Sequence, residues 1–260
     1  MSYLNARPLI EGLDADADLD VRFDVPSGLL ADLEAGDVEL ALCPIVDYHR
    51  AKSPLVIVPV GGIGCEGPTL TVRLFSRVPI ERIAAVHADT DSHTSVVLLQ
   101  LLLREMYGSQ PTLVPYHARE HVAEHRLAEW PEAMLLIGDK VVTDAPAAVT
   151  YPHQLDLGEA WHELTGLPFV FAVWMARAGA SLGELPGRLA AQRECNAGRI
   201  DAIARRHAPP RGWPVELAIE YLGSILRYTV NEREIEAIER LGRMAHHHGL
   251  IDRRRELRLG

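Results

Sequence analysis

The stretch with the clearest chemical potential is Asp89-Thr90-Asp91-Ser92-His93-Thr94-Ser95. It follows a short apolar run, Ile83 to Ala88, and precedes a long one, Val96 to Tyr107, closed by Gly108. The pattern predicts a buried strand, a polar turn and a helix, with Gly108 at the residue after the helix end. The first N–H groups of a helix have no internal partner, and the helix dipole favours negative charge there. Ser92, Thr94 and Ser95 add hydroxyl donors, so the turn is a candidate carboxylate or phosphate site. The same hydroxyls equally suit simple helix capping. Asp139 ends another apolar run, Ala133 to Gly138, and either faces a ligand or caps the next turn. His87, His93 and His117 are the histidines nearest these strand ends and the available candidates for a base.

The elements that must hold these residues read as alternating β and α. Strands are predicted over Val21–Val25, Val38–Cys43, Leu55–Val60 and Leu70–Ser76, with Ser27 as a possible cap of the helix ending at Gly36. This alternation predicts a mostly parallel sheet covered by helices. Gly61-Gly62-Ile63-Gly64-Cys65-Glu66-Gly67 follows as a glycine-rich loop that could bring backbone N–H groups close to a ligand. Further on come a strand at Thr112–Pro115, a polar helix from about Ala118 to Ala128, and buried strands at Ala133–Asp139 and Leu167–Met175. From Leu185 the chain is helical, over about 185–207, 214–228 and 232–249, before an Arg-rich tail expected to be solvated. The order predicts two α/β lobes joined by two crossings, near Arg77–Pro79 and near Phe169–Trp174. One lobe is residues 1–80 plus 172–260, the other 81–171. A ligand would lie between them at the carboxyl ends of strands.

Composition narrows the partners. A formal net charge of −10 over 260 residues argues against nucleic acid, which needs a clustered basic field. Three cysteines, Cys43, Cys65 and Cys195, fit a reducing compartment rather than a disulfide framework. No run is long and apolar enough for a membrane span, and no signal-peptide pattern is visible, so a cytoplasmic location is the expectation. His246-His247-His248 falls in a helix, where adjacent side chains do not face one way, so no metal site is expected.

Several segments together resemble the chorismate dehydratases of menaquinone biosynthesis by the futalosine pathway. They are Ser2-Tyr3-Leu4-Asn5-Ala6-Arg7-Pro8-Leu9, Cys65-Glu66-Gly67-Pro68, Asp91 to Val96, Leu136 to Lys140, and Asp156-Leu157-Gly158 on through Trp161 to Trp174. The resemblance implies an α/β fold of two lobes like the type II periplasmic binding proteins, with the cleft between them. It implies conversion of chorismate, a small dicarboxylate, to 3-[(1-carboxyvinyl)oxy]benzoate and water, with no cofactor. Asn5 and Thr71 take the family's catalytic positions, Thr71 standing where a serine is usual; its extra methyl stiffens the side chain. Ser92, Thr94 and Ser95, with His93, match the ligand-carboxylate turn, and Arg7, Gly67 and Asp139 join them as substrate-binding residues. Arg7 either neutralises a carboxylate or is simply solvated. Family members usually begin with a short strand before the Ser-Tyr motif; Met1 stands in its place here, and a misassigned or trimmed start is the expectation. A monomer or homodimer is expected, with neither nucleic acid nor membrane as partner. Two alternatives use the same fold: a non-catalytic cytoplasmic binding protein for a small aromatic or cyclic carboxylate, and the sibling enzyme that cleaves cyclic dehypoxanthine futalosine.

Overall fold

A computed structural model describes residues 3–24, 28–117 and 130–260. The expected polar helix at 118–128 and the cap at Ser27 lie outside the described residues. The chain opens with a 3-10 turn, Leu4–Ala6, running into α1 (Arg7–Ile10) with Pro8 in its first turn. Then come α2 (Leu29–Ala35), β1 (Leu40–Pro44), α3 (Ile45–Arg50), β2 (Leu55–Cys65), β3 (Val72–Ser76), β4 (Ala85–Asp89), α4 (His93–Tyr107) and β5 (Thr112–Tyr116). The second half holds β6 (Ala133–Ile137), α5 (Lys140–Thr143), β7 (His153–Asp156), α6 (Leu157–Thr165), β8 (Phe169–Arg177), α7 (Leu185–Ala197), α8 (Ile200–His207) and α9 (Val215–Glu220). A π-helical turn at Tyr221–Ile225 leads to the short β9 (Leu226–Arg227), and α10 (Glu232–His247) follows.

Two sheets form, in the orders β1-β8-β2-β9 and β5-β4-β6-β3-β7. The expected mostly parallel arrangement is corrected: among the described strands only β4–β5 and β4–β6 pair in parallel, and every strand pair of the first sheet is antiparallel. The reason is the return strand. β8 comes back from the second lobe and slots between β1 and β2, separating two strands that run the same way. The first crossing is also relocated. β3 pairs with β6 and β7, so the chain leaves the first sheet over 66–71, not at Arg77–Pro79. It returns over 166–168, because β8 already pairs with β2 from Phe169.

The glycine-rich segment is strand, not loop. Gly61 to Cys65 completes β2, whose register against β8 shifts between Val58 and Gly62 and again between Ile63 and Gly64. A Cβ on Gly64 would come within 2.5 Å of the Phe169 carbonyl oxygen, so only glycine permits this close backbone approach.

Helix α4 buries Val97, Leu98, Leu99, Leu101, Leu102 and Leu103. A helix that is apolar nearly all round belongs inside, and α4 packs against α3, α6 and α10. The tail expected to be solvated is pinned instead. The Tyr48 hydroxyl donates to Glu256 O (2.8 Å) and accepts from Arg258 N–H (2.9 Å), and Ile57 N–H donates to Arg258 O (2.8 Å).

The alternating stretch Val21–Val25 forms no strand over its described part, residues 21–24. Together with β1 it lines a groove of about 370 Å³. Alternation prepares a side-chain pattern, but a strand also needs a neighbour at ladder distance, and this groove occupies that place.

Candidate functional site

Where the two sheets meet, the carboxyl ends of β1 and β6 and the starts of β3 and α4 surround a small cavity of about 50 Å³. Its polar lining comes from Tyr3, Asn5, Thr69, Thr71, Ser92, Ser95 and Tyr221, set among Ile63, Phe171 and Leu226. No carboxylate, imidazole, amine or guanidinium lines it among the described residues.

The α4 turn caps its helix and also faces the cavity. Ser92 caps the helix, accepting from Ser95 N–H at 3.1 Å, and its hydroxyl donates to Ser95 Oγ at 2.9 Å. Both side chains still line the cavity. With Ser92's hydrogen spent on Ser95, the Ser95 hydroxyl keeps its own hydrogen for a ligand. His93 and Thr94 do not line the cavity. His93 Nδ1 lies 2.8 Å from Asp47 Oδ1, and Thr94 Oγ1 accepts Val46 N–H at 3.4 Å. Helical spacing turns these two toward α3, so they tie the lobes together rather than face a ligand.

Thr71 stands at the end of the first crossing, 2% exposed, with Oγ1 2.7 Å from the Tyr221 hydroxyl. One hydrogen lies between the two oxygens, which leaves one for the cavity. Burial pushes the Tyr221 phenol far up, so it stays a neutral hydroxyl. Sequence reading missed Tyr221, which falls within the helix expected over about 214–228. The π-helical turn it opens, a distortion common at functional sites, has no local sequence signal.

Asn5 is placed from below. Leu4 N–H donates to Asp139 Oδ1 at 3.3 Å, and the Tyr3 hydroxyl meets Asp91 and Lys140. Lys140 is itself buried, 2.5 Å from Asp89 and 3.0 Å from Asp91. Burial raises the Asp89 carboxyl, with Lys140 opposing that shift. Gly138, at φ +66°, lets the Tyr3 ring lie where a Cβ would come within 2.7 Å of it. Asn5 Oδ1 is buried with no hydrogen-bond partner among the described residues. A buried amide atom left without a partner in a cavity wall is a candidate contact for a ligand.

The other expected residues lie elsewhere. Asp139 faces Leu4 N–H and sits 3.8 Å from Arg211. The Arg7 guanidinium lies over the Phe23 ring at 5.3 Å. Gly67 makes the turn of the crossing at φ +99° and does not line the cavity. The backbone of Gly62–Gly64 is spent in β2 pairing. His87 packs edge-on against Tyr116, and His117 Nδ1 lies 3.2 Å from Thr90 Oγ1, both away from the cavity. Burial raises the Cys65 thiol, which leaves it unreactive. No helix among the described residues is long and apolar enough to cross a membrane.

Two sheets joined by two crossings, with a polar cavity between them, define a class. The chain superposes on a protein of Archaeoglobus fulgidus with a TM-score of 0.69 at 18% identity, over 96% of each chain. It superposes on the periplasmic aliphatic sulphonate binding protein of Escherichia coli with a TM-score of 0.62 at 18% identity, over 96% of this chain and 91% of that one. The fold is therefore the two-lobed fold of solute-binding proteins. Its sequence matches the model of the menaquinone biosynthesis family over residues 1–247. It is also 31% identical over 245 residues to the chorismate dehydratase of Thermus thermophilus, covering 88% of each chain. The protein belongs to the menaquinone biosynthesis family, as its sequence motifs led us to expect.

Proposed function

We propose that this cavity dehydrates chorismate to 3-[(1-carboxyvinyl)oxy]benzoate and water, a step on the futalosine route to menaquinone. The observation that carries the reading is a cavity lined by neutral donors, with no protein base among the described residues. Chorismate brings its own carboxylates. The enolpyruvyl carboxylate takes the proton from the ether-bearing ring carbon. The C–H electron pair becomes ring π bonding, the neighbouring C–O bond breaks with its pair on oxygen, and the departing hydroxide takes the proton to leave as water. Aromatisation supplies the driving force.

The protein's part is orientation and hydrogen bonding at the departing oxygen. The Thr71–Tyr221 pair has one hydrogen to give and the Ser92–Ser95 pair another, while Asn5 offers both amide donor and acceptor. The Ser92–Ser95 turn, at a helix N-terminus, suits a ring or side-chain carboxylate. At about 50 Å³ the cavity is well below the several hundred Å³ of a ligand site, so the lobes must part about the crossings to admit substrate.

The test is incubation of the purified chain with chorismate, following the diene absorbance and the product mass. A product lighter by one water supports the proposal. Chorismate bound but recovered unchanged would make this a binding protein instead. A pH–rate profile controlled by an enzyme group near neutrality would refute the substrate's role as base.

A further inference from the structure

Thr71 is reached through a strained backbone. Thr71 N–H donates to Thr69 O at 2.7 Å across the single residue Leu70, whose φ is +64°. Leu70 is the one non-glycine residue with positive φ among the described residues. A three-residue turn of this hand is rare and costly for a branched side chain, and such turns persist only where the surroundings impose them. What imposes it is Asp156, at the end of β7 and 6% exposed. Its Oδ1 accepts Thr69 N–H at 2.9 Å, Gly158 N–H at 3.0 Å and Glu159 N–H at 3.2 Å. Its Oδ2 accepts Leu70 N–H at 2.8 Å, with the Arg73 guanidinium 3.4 Å away.

The carboxylate therefore divides its work by atom. Oδ1 caps α6 and holds Thr69; Oδ2 alone holds Leu70. We propose that Asp156 is a positioning residue for Thr71, its Oδ2 holding the Leu70 turn closed so that the Thr71 hydroxyl points at Tyr221 and the cavity. The inference rests on the reading of Thr71 as a donor to the substrate. Asp156 does not line the cavity, so it acts through the turn.

Asp156→Asn separates the two jobs. The amide oxygen keeps the bonds to Thr69, Gly158 and Glu159, and asparagine is a good helix cap. The amide nitrogen then faces Leu70 N–H and Arg73, donor against donor. Chorismate turnover is expected to fall about 10- to 100-fold, the usual size of an orienting-residue effect, mainly in kcat. Glycine takes positive φ freely. Adding Leu70→Gly to Asp156→Asn is therefore expected to restore at least about tenfold of the loss, because the turn no longer needs the clamp. A capping role predicts no such rescue. Amide exchange at Thr71, read without substrate, is expected to quicken in Asp156→Asn and to slow again in the double variant. Unchanged exchange, or no rescue by glycine, overturns the proposal. If the parent protein leaves chorismate untouched while the exchange pattern appears as described, the clamp stands and the reading of the reaction falls.

Discussion

Replacing Asn5 by leucine is expected to stabilise the protein while stopping its chemistry. Asn5 Oδ1 is buried in the cavity wall without a partner, and a polar atom in that state costs about 1–3 kcal/mol. Leucine keeps the branched outline of four heavy atoms, its larger methyl groups face the cavity, and it meets the apolar lining of Ile63, Phe171 and Leu226. Imperfect fit of the branched side chain returns up to about 1.5 kcal/mol, which leaves a net gain of about 1 kcal/mol. In a chain of this size that raises Tm by about 2–4 °C. Loss of a donor aimed at developing charge lowers kcat by about 100-fold or more. Thermal melts with and without chorismate, beside turnover, read both effects. Chorismate is expected to raise the Tm of the parent and not of the variant. A fall in Tm of the same size, or unimpaired turnover, would refute the reasoning, because either would mean that the amide serves the fold rather than the ligand.

Three more outcomes follow from the geometry. Tyr221→Phe removes the partner 2.7 Å from Thr71; a loss of about 1–2 kcal/mol in urea titrations and a kcat reduced about tenfold with KM nearly unchanged are expected. Burial, with Arg254 and Arg255 close by, holds the His49 imidazole down to about 4. The folded chain keeps it neutral while the unfolded chain takes a proton below about pH 6.5, so stability is full above that pH and falls by about 3 kcal/mol toward pH 4. His49→Gln is expected to narrow the gap from the parent by that amount between about pH 7 and about pH 4. Gly138→Ala would place a Cβ 2.7 Å from the Tyr3 ring at a φ of +66°, and a stability loss of about 2 kcal/mol with loss of turnover is expected.

Local patterns in the sequence located the helix at the cavity and both its ends. Ser92 caps it and Gly108 ends it at φ +59°, because caps and turns are decided by a few neighbouring residues. Ser92, Ser95, Asn5 and Thr71 were reached because their motifs could be read together. What stayed hidden depends on contacts distant in sequence. Nothing near Tyr221 announces that its hydroxyl meets Thr71, 150 positions away. Nothing near Thr94 says that α3 will sit against its side. The run Val21–Val25 has a strand's alternation, but pairing is a property of two segments. β3 was placed in the wrong sheet for the same reason: alternation fixes which face of a strand is buried, not which strands lie beside it.

The groove beside β1 carries a hazard for the protein in solution. Among the described residues β1 ends its sheet beside the groove, its Ala41 to Pro44 buried, and Phe23, 46% exposed, lines the same groove. An edge strand is a template for an extended chain, including another copy of this one, wherever its cover opens. Asp18, Asp20, Asp24, Asp32, Asp37 and Glu39 ring it, and their mutual repulsion between copies acts as a gatekeeper. Enough salt to screen the ring is therefore expected to promote association between copies, visible as rising light scattering before any loss of helix signal.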